Sequence, residues 1–157
     1  MNLAQLLDRS GMDAVDHLER QLTIPVIDGL QGQGDLVVIP LDMTTAQVRA
    51  AGWRAVPPSG AELVRGAAGN NPHTLVADPD ICRYHQNVHD AAGLGIAVFE
   101  NSAPVYLVHP EHGGTGVAPG RWLVRRQRER RTSGRVGYPL LGSTTWYHGG
   151  STALVAD

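Results

Sequence analysis

The sequence is short of cysteine, of aromatic residues and of charge, and each shortage removes a class of explanation. A single cysteine, Cys82, stands among 157 residues. No internal disulfide can form, so a disulfide-stapled secreted scaffold is excluded. A lone thiol beside Ile81 reads as a small buried side chain, with a nucleophile as the alternative. Charged residues make up 18% of the chain and the formal net charge is −2, a balance that gives no general attraction to nucleic acid. There is one Phe, and no aromatic set interleaves with the arginines as a base-stacking surface requires. No apolar stretch approaches the roughly 20 residues that span a bilayer. The first 20 residues carry acids and no continuous apolar run, which is not the pattern of a signal peptide. The expected location is cytoplasmic.

What is abundant is turn-forming sequence. The 19 glycines and 10 prolines cut the chain into short pieces and favour strands over long helices. Hydrophobic residues reach 42%, enough for a packed core, and the length fits one domain. Leu3, Leu6 and Leu7 recur at helical spacing, as do Val15, Leu18 and Leu22, with Ser10-Gly11 between them. This predicts a short helix, a break and a second helix over about Met12–Gln21. His17 falls there as a surface histidine.

Beyond Thr23 the spacing changes. Strands are expected at Asp35–Pro40, Trp53–Val56, Ala61–Val64, His73–Ala77, Ile81–Tyr84, Gly95–Glu100, Pro104–His109 and Arg121–Glu129. A helical turn is expected at Thr44–Ala51, and turns or loops at Gly66–Pro72, Tyr84–Asp90 and Pro110–Gly116. The expectation is a mainly β protein, a small barrel or jelly-roll-like sandwich, with residues 1–22 as an N-terminal helical segment and 23–157 as one β-rich domain.

The most informative stretch is Val105-Tyr106-Leu107-Val108-His109-Pro110-Glu111-His112-Gly113-Gly114. On a strand, Val105, Leu107 and His109 share a face, so His109 ends an inward face. Pro110 folds the chain back and His112 follows at the turn. Two imidazoles this close can reach one divalent, zinc-like metal ion, and Glu111 can serve as ligand or as general base. His73 is the candidate third ligand, because the side-chain-poor loop before it lets the backbone approach another element. The alternative is a hydrogen-bonded turn in which His109 meets a carbonyl and Glu111 an arginine. His85 and His89, four apart, would suit a metal only on a helix. Along Arg121–Glu129, strand parity puts Arg126 and Arg128 on the face of Trp122 and Val124, where they could grip a carboxylate or phosphate of a bound cofactor or partner. The bland alternative is a charged edge strand guarded against aggregation.

These segments resemble a little-characterised family of small bacterial and phage-borne proteins. Its pieces are a Gly-Asp-hydrophobic strand ending in proline, here Gly34–Pro40, and a glycine-rich loop closing on a histidine, here Gly66–His73. A His-x-Glu-His-Gly turn follows at His109–Gly113, and then a Pro-Gly-x-aromatic-x-Val-x-Arg-Gln-Arg-Glu strand at Pro119–Glu129. Two positions depart from the pattern: Ala67 stands where an acid is usual, and Asn71 where a second histidine is frequent. The resemblance implies a shared β fold and a shared histidine site, and no activity.

Two functions follow as expectations. One is a β module whose His73/His109/His112 cluster binds a divalent metal or polar small molecule, with Glu111 as base if it is an enzyme. The other is a structural or assembly protein, such as a phage or compartment component, that self-associates through strand edges and its N-terminal helix.

Overall fold

The computed structural model describes residues 1–12, 20–65, 71–131 and 151–154. The chain opens with helix α1 (Leu3–Ser10). Asn2 caps it: its side chain accepts from the Gln5 N–H while the Gln5 side chain accepts from the Asn2 N–H, a reciprocal capping box. Gly11, at φ 65°, closes the other end in the left-handed conformation that glycine adopts without strain. Residues 13–19, most of the second helix read at Met12–Gln21 and including His17, lie outside the described residues, as do most of the loop before Asn71 and the apolar patches around Tyr138 and Thr144.

Fifteen strands follow among the described residues. They are β1 (Val26–Ile27), β2 (Gln31–Gln33), β3 (Leu36–Pro40), β4 (Gln47–Val48), β5 (Arg54–Ala55), β6 (Ala61–Arg65), β7 (Pro72–Val76), β8 (Cys82–His85), β9 (Val88–His89), β10 (Gly95–Asn101), β11 (Val105–His109), β12 (Gly113–Val117), β13 (Gly120–Arg126), β14 (Arg128–Arg131) and β15 (Ser151–Leu154). A five-stranded sheet runs in the order β1-β12-β11-β7-β6, and a six-stranded sheet in the order β2-β3-β13-β10-β8-β5. Each of these two sheets keeps two edges, so of the two β architectures expected the structure is the sandwich; no barrel closes among the described residues.

Alternation explains the layers. Val105 and Leu107 of β11 and Leu75 of β7 face the six-stranded sheet, where they meet Leu36, Val38, Phe99, Trp122 and Val124 in the main core. Tyr106, Val108 and Val76 point the other way, into a second cluster with Leu3, Leu6 and Leu7 of α1 and with Ile24. The five-stranded sheet is thus buried on both faces, and α1 is its outer cover.

Three local expectations change. Residues 44–51 form no helical turn: a 3-10 turn at Leu41–Met43 precedes strand β4, which pairs with β9. The segment read as the loop Tyr84–Asp90 carries the end of β8 and all of β9. His85 and His89 are therefore on strands, and the His85 ring nitrogen meets the Ala51 carbonyl at 2.9 Å. The turn read as Pro110–Gly116 ends at His112, and Gly113–Val117 is a strand. Packing requires Gly116 in particular: a Cβ there would lie 2.7 Å from the Pro25 carbonyl oxygen and 3.1 Å from Val26 Cα, both backbone atoms.

Candidate histidine site

Strands β7 and β11 run antiparallel with Leu107 opposite Leu75 and Val108 opposite Thr74. One step further along this register brings His109 opposite His73. Both are inward residues of their strands, both are fully buried, and their rings lie 4.3 Å apart between centroids. The β11–β12 hairpin then pairs His109 with Gly113, whose φ of 73° needs no Cβ to accommodate. This turn lays the exposed His112 ring on His109, 4.6 Å between centroids and 19° from parallel. The three histidines read from the sequence therefore form one continuous stack running from the core to the surface.

Within that stack, His109, Glu111 and His112 each offer a ligand atom, and these atoms lie within 4.8 Å of one another. Among the described residues this is the group able to hold a metal ion, and His73 is not in it. The His109 Nδ1 accepts the Glu111 backbone N–H at 3.2 Å. With that bond in place the neutral ring carries its proton on Nε2, so His109 becomes a metal ligand only when the bond is given up and a ring lone pair is freed. Glu111 is exposed, and its Oε1 accepts from Asn71 Nδ2 at 2.8 Å. The arginine partner considered for Glu111 is replaced by this asparagine.

His73 has other partners, which sequence reasoning missed. Its Nε2 lies 2.8 Å from Asp35 Oδ1, and both side chains are 0% exposed. Its Nδ1 faces Gln33 Oε1 at a longer 3.5 Å. The Gln33 amide orientation is fixed, because its Nε2 donates to the Leu107 and Gly113 carbonyls at 2.8 and 3.0 Å. Both nitrogens of His73 thus face side-chain oxygens of the opposite sheet or its approach. Arg126 adds a guanidinium 3.8 Å from Asp35 Oδ2. A sequence signal existed for Asp35, since a charged residue directly before a buried strand is unusual. Gln33 gave none, being one polar residue in a glycine-rich stretch.

Arg126 and Arg128 meet different partners. Strand β13 ends at Arg126 and β14 begins at Arg128, so Gln127 interrupts the ladder and strand parity does not carry across it. Arg126 turns to Asp35 and to the Arg65 carbonyl, whereas Arg128 donates to the Ala92 carbonyl at 3.0 Å. Cys82 is buried, and that burial pushes its thiol up to about 12, far from a nucleophile's range.

Comparison with known proteins agrees on extent. Residues 32–127 match the domain of unknown function DUF8820, and the chain belongs to that family. No curated protein and no solved structure is significantly similar to it. The matched span begins one residue before Gln33 and ends at Gln127, so it takes in every residue of the histidine stack and its buried supports. Among the described residues, no helix is long and apolar enough to cross a membrane.

Proposed function

We propose that this chain is a small β-sandwich module that binds a divalent, zinc-like metal ion through His109, Glu111 and His112. The observation that supports it is the convergence of three ligand atoms within 4.8 Å at the mouth of the sandwich. Two imidazoles and a carboxylate are a donor set for zinc, and three protein ligands leave a coordination position for water or a small molecule. His109 is held by the sheet, so it supplies a fixed ligand, while the exposed Glu111 and His112 can close on the ion. Metal-free protein titrated with zinc in a calorimeter should bind one ion per chain. His112→Ala should weaken that binding at least about tenfold and leave the circular dichroism unchanged, since His112 is exposed. No zinc binding by the parent, or equal binding by His112→Ala and Glu111→Gln, would overturn the reading.

A second reading, self-association, is favoured by one observation. The edge strand β1 exposes Val26 and Ile27, and Leu22 and Leu30 beside it are 67% and 62% exposed. Unprotected apolar edges promote association between sheets. A solution mass above one chain that reverts on Val26→Lys would support it, and a monomer at high concentration would end it.

A further inference from the structure

Resting on the self-association proposed above, we infer that two copies of this chain exchange their N-terminal units, so that α1 and β1 of each copy cover the five-stranded sheet of the other. The unit holds itself together. The Ala4 N–H donates to the Arg20 carbonyl at 2.9 Å, the Ile24 N–H donates to the Met1 carbonyl at 3.1 Å, and Asn2 bridges to Thr23. It also lies outside the span shared with the family, which starts at residue 32. The main core takes nothing from it among the described residues, since the first core residue in the chain is Leu36. The unit docks on the outer face and edge of the five-stranded sheet instead. Leu3, Leu6, Leu7 and Ile24 pack there with Val76 and Val108. Leu6 and Ile24 come down on Gly114, where a Cβ would lie 2.9 and 2.7 Å from their methyl groups. Arg9 pairs with Asp78 at 2.7 Å, and the Gly116 and Ala118 N–H groups donate to the Pro25 and Ile27 carbonyls at 3.1 Å each. The occupant that fits this face is therefore the chain's own sequence, and the unit of a second copy makes the same contacts unchanged.

The join between unit and sandwich favours exchange. It is Asp28-Gly29-Leu30, which passes from β1 in one sheet to β2 in the other. Three residues reach roughly 10 Å, about the spacing of two stacked sheets, so the link has little slack. Gly29 sits at φ 151°, a backbone value that side chains rarely adopt. Opening a short, constrained link relieves the constraint while every docked contact is kept, which is the condition under which chains swap elements. Apolar side chains left on the surface gather at this same link: Leu22, Val26, Ile27 and Leu30 are all exposed. In a two-fold exchange the two links run side by side. These side chains then face their counterparts, and apolar surface that the closed chain leaves in water is buried.

The test mixes isotope-labelled and unlabelled full chain in urea and refolds them together at high concentration. Sedimentation should show a dimer, and its isotope-filtered NMR spectrum should show contacts between Leu6 and Val108 methyl groups on different chains. Inserting Gly-Ser-Gly after Gly29 lengthens the link, lets each unit fold back on its own sheet, and should weaken the dimer at least about tenfold. Asp28 and Leu30 on either side of Gly29 are exposed, so the insertion should leave the circular dichroism unchanged. A dimer whose Leu6–Val108 contacts all lie within one chain, or whose affinity ignores the insertion, would overturn the exchange and leave self-association standing. A monomer at every concentration would overturn both.

Discussion

Replacing Gln33 with leucine tests whether the histidine hairpin is held by a buried side chain of the opposite sheet. Gln33 is 5% exposed, and leucine nearly matches its volume, so the cavity term stays small. What is lost is specific: the donors to the Leu107 and Gly113 carbonyls and the acceptor facing His73 Nδ1. Each buried hydrogen bond contributes roughly 1 kcal/mol net, and each polar group left without its partner costs about 1–3 kcal/mol. The long His73 contact adds little. The sum is a loss of about 2–3 kcal/mol, a large share of the roughly 5–15 kcal/mol typical of a domain. With a urea slope near 2 kcal/mol/M, the unfolding midpoint should fall by about 1–1.5 M. Gln33→Glu should be worse at neutral pH, because a carboxylate would face two carbonyl oxygens, and should recover partly in acid as it protonates. A Gln33→Leu midpoint within about 0.2 M of the parent would refute the view that this amide ties the sheets together.

Other outcomes follow from the same contacts. Asp35→Ala leaves His73 buried without its carboxylate and should cost about 3–5 kcal/mol, whereas the double variant Asp35→Leu, His73→Leu should recover much of that; thermal melts of the three proteins check it. Burial would raise the Asp90 carboxyl, but Arg125 and the N–H groups of Ala92 and Leu94 outweigh it and hold the group below the usual carboxylate range. Its stabilisation is therefore present above the ordinary value near 4 and lost as pH falls below it, an acid limb that Asp90→Asn should remove from the stability–pH profile. Gly116→Ala should destabilise by about 1–3 kcal/mol by pushing the Pro25–Val26 backbone off β12, while zinc binding by the folded protein stays at the parent level. Asn71→His places an imidazole where an amide now meets Glu111, and should tighten zinc binding in the calorimeter; unchanged affinity would put the ion elsewhere.

Much of the sandwich was legible because period-2 alternation carries through its central strands. Val105, Leu107 and His109 were expected on one face, and the core takes up the first two while His109 ends the same row, fully buried. Strand β12 was not legible. A strand made of Gly-Gly-Thr-Gly-Val has almost no side chains to alternate, and its glycines answer to neighbours remote in sequence: a Cβ on Gly116 would fall 2.7 Å from the Pro25 carbonyl oxygen. Glycine was read as turn chemistry when here it is the condition for α1 and β1 to lie close on the sheet. The short strands β4 and β9 escaped for a related reason, since two residues are too few to show a period.

The candidate site divides along the same line. Residues close in sequence, His109, Glu111 and His112, were readable as a group because one hairpin brings them together. His73 could be placed near them only by guessing which strand lies beside β11. Asp35 stood out as a charge before a buried strand, but its pairing with His73 could not be read, because the contact crosses between sheets. That contact changes the chemistry expected of the stack. His73 faces Asp35 and Gln33 and lies outside the group whose ligand atoms converge. The metal-binding reading therefore passes from three histidines to two histidines and Glu111. The inner half of the stack becomes a buried Asp35–His73 contact beneath the fixed ligand, with the Gln33 amide joining it to the hairpin that carries the ligands.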